Sequence, residues 1–294
     1  MKKIRKSNLI LIALTCLTVL CLLNSTIVTN KILVYTKLFI EKLFPASFLF
    51  FTLSTLLIEY NMVQKLSKVL KRNSANLYII VMSLISGFPS GSKYTKELLD
   101  KNLITEESAN KIISYVHFPN PIFILGPVAA LFPSKKYTVT ILLSIIIANG
   151  IIALINHPKE KGKITITQKE PTSFAITLSK ACYSSIKTLL LIYGTSIFFY
   201  LIITLINHYI KFSLPAYVFF NGLFDLTNGI FLTSLITNPT IRGLFIIFFT
   251  SFGGLSVHMQ TKSIIADTSI NYNNFLLGRC CQTVLASIIF TLLI

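Results

Sequence analysis

Charge is scarce in this sequence. Only 13% of the residues are charged, about half the share of a soluble domain, and mean hydropathy is +0.72. That deficit excludes an ordinary soluble globular protein, and the abundance of apolar surface excludes disorder. Acidic residues are scarcest: 10 Asp+Glu stand against 27 Lys+Arg, for a net charge of +17. In a soluble chain such an excess would point to nucleic acid. Here the basic residues stand in short clusters between apolar runs, the pattern of a polytopic membrane protein with cationic cytoplasmic loops. The lipid bilayer is therefore an expected partner, and nucleic acid is not. Tryptophan is absent, and so is any C-x-x-C pair. The five cysteines, Cys16, Cys21, Cys182, Cys280 and Cys281, lie in or beside apolar runs and read as small apolar fillers. G-x-S-x-G, H-E-x-x-H, P-loop and glycine-rich dinucleotide patterns are missing too, so neither a cofactor nor a metal is expected and the chain is not read as an enzyme. Ser90 and Lys93 do form S-x-x-K, but its companions S-D-N and K-T-G are absent.

Long apolar runs are what the chain has. The basic stretch Lys2-Lys3-Ile4-Arg5-Lys6 precedes a run at 9–23. No clear A-x-A cleavage site follows, which favours a retained first membrane helix over a signal peptide. A helix needs about 20 residues to cross a core of ~30 Å. The runs at 43–60, 137–155, 190–207 and 275–294 have that length. The remaining apolar segments are interrupted: S-G-F-P-S-G-S-K at 86–93, H-F-P-N-P at 117–121, F-D-L-T-N-G at 224–229 and S-F-G-G-L-S at 251–256. Glycine and proline break helices. At membrane depth, broken backbone is tolerated only where it is buried in protein or lines a cavity. Each interruption is therefore expected to face an internal site.

The order of these features repeats. A span, a short hairpin, a broken helix and a second span occupy 43–155 and recur in 188–294. The chain accordingly divides into an N-terminal basic segment with a first helix (1–30), a first repeat (43–155), a basic cytoplasmic loop with an amphipathic helix (156–187) and a second repeat (188–294). With the N-terminus placed in the cytoplasm, most of the 27 basic residues fall on the cytoplasmic side and the two repeats acquire opposite topology. The expected fold class is an all-α polytopic membrane protein of inverted structural repeats, with re-entrant hairpins and broken helices.

Candidate binding residues lie at the interruptions. Gly87 and Gly91 allow a tight turn, Ser90 or Ser92 is placed to cap the next helix, and Lys93 adds positive charge at its N-terminus, where backbone N–H groups suit an anion or a carbonyl. A plain capped loop is the alternative. Asp225 is the sharpest single residue, because 217–236 holds no other charge and an ionisable group at membrane depth marks a functional site by default. Thr227 and Asn228 beside it offer oxygen and amide groups. Gly253 and Gly254 open another half-helix, on which Ser256 is the expected cap and His258 and Gln260 are placed to reach a cavity, with a satisfied packing histidine as the equal alternative for His258. Asn120, between two prolines, can both donate and accept. Glu97 reads as part of a solvated surface, and Glu59 and Arg279 as residues that snorkel from helix ends.

At these motifs the chain resembles a known group. G-F-P-S-G-S-K (87–93), L-I-T-E-E-S-A (103–109), N-P-I-F-I-L-G (120–126), L-T-N-G-I (226–230) and F-G-G-L-S-V-H-M-Q (252–260) are similar to the YlbJ-type sporulation integral membrane proteins. These carry the nucleoside recognition, or Gate, domain. The resemblance runs from about residue 44 to the last residue and departs from the group's pattern at Ser92 and at His258-Met259. It implies a fold resembling the core of concentrative nucleoside transporters. It also implies a bacterial plasma membrane location, in the forespore or mother-cell membrane of a spore former, with a role in cortex or coat formation. Two functions follow as expectations. One is binding or translocation of a small polar solute, nucleoside-like included, with sodium or a proton open as coupling ion. The other is a non-transporting assembly scaffold that meets other sporulation membrane proteins. A homo-oligomer is compatible with either.

Overall fold

The computed structural model describes residues 6–70, 74–158 and 173–294, and its regular structure there is entirely helical. The basic residues at 2–5, Lys71 and Arg72, and residues 159–172 of the expected 156–187 loop, lie outside the described residues.

Helix α1 (Lys6–Leu23) turns by 94° at Asn24 into α2 (Ser25–Leu38). The Asn24 carboxamide donates to the Leu20 carbonyl at 2.8 Å and to the Tyr209 hydroxyl at 2.7 Å. A π-helical turn at Phe39–Leu43 leads into α3 (Phe44–Glu59), started by a proline in its first turn. At 16 residues α3 is shorter than the span expected at 43–60. The short α4 (Met62–Leu70) follows, then α5 (Ala75–Ser86) and α6 (Ser90–Asp100), which fold back on each other. Beyond α7 (Glu106–Ile112) the backbone is irregular as far as Asn120. It then re-enters helix as α8 (Pro121–Phe123), continued by π and 3-10 turns to Leu131. The straight helix α9 (Lys135–Ile155) comes next.

The 36-residue α10 (Phe174–Tyr209) joins into one rod what the sequence divides into an amphipathic segment and a span at 190–207. No proline interrupts 174–209, and its lone glycine, Gly194, meets open space, so nothing stops the helix. Helices α11 (Leu214–Phe224) and α12 (Leu226–Leu232) form a tight pair hinged at Asp225. Gly229 allows it: a Cβ there would stand 2.0 Å from the Gly222 Cα. Helices α13 (Pro239–Phe252) and α14 (Gly254–Ile264) form one apolar segment broken at Gly253, and α15 (Tyr272–Leu293) closes the chain.

Among the described residues four segments are long and apolar enough to cross a membrane: α9, α10, α13 with α14, and α15. The bent pair α1–α2 makes a fifth if it counts as one span. The chain is a membrane protein. Two cores hold it together. One gathers Phe51, Ile79, Tyr94, Ile112 and Phe275 under α3, α5, α6 and α7. The other gathers Ile141, Ile246, Phe249 and Phe290 between α9, α13 and α15. The irregular stretch after α7 joins them, with Tyr115 and Val116 in the first and Ile124, just beyond, in the second.

Candidate functional site

Each helix break is made by local chemistry and buttressed by another. Gly87 ends α5 in the left-handed region at φ +76°, and a Cβ there would stand 2.9 Å from the Asn120 backbone nitrogen and Cβ. The Asn120 Oδ1 accepts from the Ile122 N–H at 2.8 Å, capping α8, while its Nδ2 donates to the Ile85 carbonyl at 3.1 Å. The first two breaks are thereby tied together. Asp225 caps α12, its Oδ1 accepting from the Asn228 N–H at 2.9 Å. Gly253 (φ +99°) and Gly254 (φ +62°) make the fourth break, with Gly253 against the His117 ring and Gly254 against the Gly222 carbonyl.

The irregular backbone at 113–120 leaves carbonyls buried inside the protein, where each needs a donor. Side chains of α9 and α15 supply them. Asn149 Nδ2 donates to the His117 carbonyl at 2.7 Å, and Gln282 Nε2 to the same oxygen at 3.3 Å. Arg279 Nη2 donates to the Ser114 carbonyl at 2.7 Å and Nη1 to the Ser251 carbonyl at 3.4 Å, so one guanidinium braces two breaks. Its plane lies 5.3 Å from the Phe275 ring centre. Arg279 is fully buried, not snorkelling. Depth is the reason: the position is seven residues into α15 and faces its protein neighbours.

Two adjoining cavities lie where the breaks converge. The larger holds about 420 Å³ and is walled mainly by Leu38, Phe88, Ile122, Phe123 and Phe231, with Ser47, Ser86, Asn120 and Thr227 as polar points. The smaller, about 60 Å³, holds Asp225, Thr227, Ser256 and Gln260 with Tyr35, Ser47 and Ser196. Leu43, Ser47, Phe88, Leu226 and Thr227 line both. Asp225 is 1% exposed, and its Oδ2 accepts from the Tyr35 hydroxyl at 3.1 Å. Gln260 Nε2 donates to Ser196 Oγ at 3.0 Å. The buried Ser256 hydroxyl has no hydrogen-bond partner. Among the described residues no group of three or more His, Cys, Asp or Glu side chains is placed to hold a metal.

Gly87, Asn120, Asp225, Thr227, Ser256 and Gln260 therefore stand on cavity walls. Asn228 does not: its Nδ2 donates to Asn221 Oδ1 at 2.9 Å, inside the α11–α12 pair. Gly91 packs against the Val116 carbonyl. The helix after Gly87 starts with Pro89 at its cap and no side-chain cap, so neither serine takes that role. Ser90 is buried without a partner, and Ser92 reaches Thr261 at 3.4 Å. Ser256 likewise leaves the capping of α14 to Gly253. The Lys93 ammonium turns away from the cavities. It pairs with Glu97, donates to Thr55 Oγ1 at 2.9 Å, and lies 5.8 Å from the Phe51 ring centre. Glu97 is thus drawn into the protein and away from solvent, because the i,i+4 spacing on α6 brings it to the buried lysine. Glu59 bonds Lys101 at 2.9 Å. His258 is fixed as the Nε2–H tautomer, donating to the Phe252 carbonyl at 2.9 Å and accepting at Nδ1 from the Tyr272 hydroxyl at 2.7 Å, and it lines neither cavity.

Tyr35, Ser47 and Ser196 belong to the site and carry no local signature. Ser196 follows Thr195 inside an apolar run that nothing marks as a site, and Tyr35 reaches the site only through the bend at Asn24.

Against known proteins, the chain is similar to the sporulation integral membrane protein YlbJ of Bacillus subtilis (strain 168), with 24% identity over 305 residues that span 86% of this chain and 74% of that protein. No protein-family profile matches it. No solved structure matches it either.

Proposed function

We propose that this membrane protein binds, and passes or retains, a small polar solute at the junction of its four helix breaks. One observation carries the reading: a buried carboxylate, an unpartnered hydroxyl and a ring of hydroxyl and amide groups adjoin a larger cavity walled by phenylalanines. Around 300–1,000 Å³ with mostly apolar walls and few polar points is the usual form of a small-ligand site. Phe88, Phe123 and Phe231 suit a planar apolar ring, and Ser47, Ser86, Asn120 and Thr227 suit hydroxyls, so a nucleoside-like solute fits the walls. Asp225 is the group through which a coupling sodium ion or proton would act.

The order of elements supports a transporter-like core of inverted repeats. Pair α5–α6, broken segment α7–α8 and span α9 have counterparts in pair α11–α12, broken segment α13–α14 and span α15. Spore formation comes to this chain as a proposal through its similarity to a protein named for sporulation.

The test is thermal unfolding of the detergent-purified chain against nucleosides, nucleobases and other small polar metabolites, with and without sodium. The expected result is a saturable rise in Tm with a nucleoside-class solute, worth about 2.7 kcal/mol at a hundred times Kd. Asp225→Asn keeps the α12 cap, since Asn caps as well as Asp, and is expected to abolish the shift without lowering Tm in buffer. No shift across the panel would overturn the reading and turn attention to a scaffold role.

A further inference from the structure

A further concavity lies on the flank of α9 and α15, on the outer side of the second break, whose Ser114 helps to line it. It encloses about 900 Å³ and has two unlike ends. One end is polar, with Glu107, Asn110 and Lys111 from α7, Asn156 just past α9 and Asn274 from the first turn of α15. Away from that end the lining is apolar along α15, with Leu277, Cys280, Cys281, Val284 and Leu285, while Ile152 and Ile155 of α9 stand beside the polar end. Both helices are long and apolar enough to span a bilayer. From Asn274 to Val284 the crevice follows ten residues of α15, about 15 Å, which is half of a ~30 Å hydrocarbon core. Leu277 is 63% exposed and Val284 59%, so its mouth opens sideways. A groove polar at the membrane surface, apolar for one leaflet and open to the side has the shape and polarity of one phospholipid.

The polar end narrows the head group. Lys111 Nζ donates to Glu107 Oε1 at 2.6 Å, so the rim carries one charge of each sign. A head group with a phosphate and an ammonium meets both, the phosphate at Lys111 and the ammonium at Glu107. An ammonium that donates hydrogen bonds suits the Glu107 carboxylate better than a trimethylated one, which cannot donate. Asn156 and Asn274 each spend one amide N–H inside the protein, on Ser114 Oγ and Asn110 Oδ1, and keep a second for phosphate oxygens. We infer that the α9–α15 crevice is a binding site for a phospholipid with an ethanolamine head group.

The full chain, stripped of lipid in detergent, would be melted against phosphatidylethanolamine, phosphatidylcholine and phosphatidylglycerol of the same acyl chains, and against phosphoethanolamine alone. The expected result is a saturable Tm rise with phosphatidylethanolamine, half-complete at about a tenfold lower concentration than with the other two, a difference of about 1.4 kcal/mol. The double variant Glu107→Gln, Lys111→Gln alters only exposed or half-exposed side chains and is expected to erase the preference while leaving Tm in detergent unchanged. Leu277→Trp, on an exposed position, fills the groove and is expected to remove the saturable component for every lipid. Equal responses to the three lipids would mean ordinary solvation by lipid and overturn the site. A preference for phosphatidylglycerol would overturn the head-group assignment, and an equal response to phosphoethanolamine alone would overturn the role of the apolar walls. None of these residues lines the cavities at Asp225, so this result and the solute result fail separately.

Discussion

Arg279 shows how much one residue can carry. Its guanidinium reaches the Ser114 and Ser251 carbonyls, both in chain that has left or is about to leave helix. Lysine keeps the charge but presents one ammonium in place of a planar fork. Arg279→Lys is expected to leave at least one buried carbonyl unpaired and cost about 2 kcal/mol in denaturant unfolding, with faster amide exchange at 113–120 and at the end of α13. At Asp225, charge and cap separate in the same way. Asp225→Ala is expected to lose about 1 kcal/mol of α12 stability through the cap, whereas Asp225→Asn loses ligand binding and little stability. The sequence made Asp225 visible because no other charge lies near it. It hid the depth of Arg279, since periodicity gives a residue's position along a helix and not which face meets protein.

At the scale of elements, the irregular stretch 113–120 is held between two helices that approach it through glycine. A Cβ on Gly91 of α6 would stand 1.9 Å from the Val116 carbonyl oxygen, and one on Gly278 of α15 would stand 2.0 Å from the Ser114 carbonyl oxygen. In both cases backbone meets side chain, and no rotamer change relieves it. Gly91→Ala and Gly278→Ala are each expected to cost at least about 2 kcal/mol, read by thermal unfolding. Gly150 in α9 has nothing within 4 Å of its would-be Cβ. Gly150→Ala is expected to stabilise by about 0.5–1 kcal/mol through helix propensity. The positions of the breaks were legible, because Gly, Pro and Asn announce them. Their mutual contacts, Gly87 on Asn120 and Gly253 on His117, were not, since they join residues that no local pattern relates. The same limit misdirected Lys93, whose partner Thr55 lies on α3, although its other partner, Glu97, stands four residues on along its own helix.

At the scale of the molecule, all-helical membrane architecture followed from composition and run length alone. Helix α10 departs from that reading most plainly. Its 36 residues measure about 54 Å, well beyond a ~30 Å core. One end must stand clear of the hydrocarbon. In a cysteine-free background, Phe174→Cys is expected to react with a membrane-impermeant maleimide at least tenfold faster than Phe198→Cys, although both positions are surface-exposed. Equal rates would place α10 along the membrane surface.

The bend at Asn24 gives the chain's beginning a share in its middle. Tyr35 and Asp225 are 190 residues apart, so the tyrosine is synthesised long before its carboxylate exists. Through that interval α2 holds one wall of an enclosure whose remaining walls have not been made. The smaller cavity closes only when the ribosome has delivered Ser256 and Gln260. The insertion machinery must therefore leave the first two helices free to be reclaimed, and any fusion partner that pins them early would be felt first at the site built last.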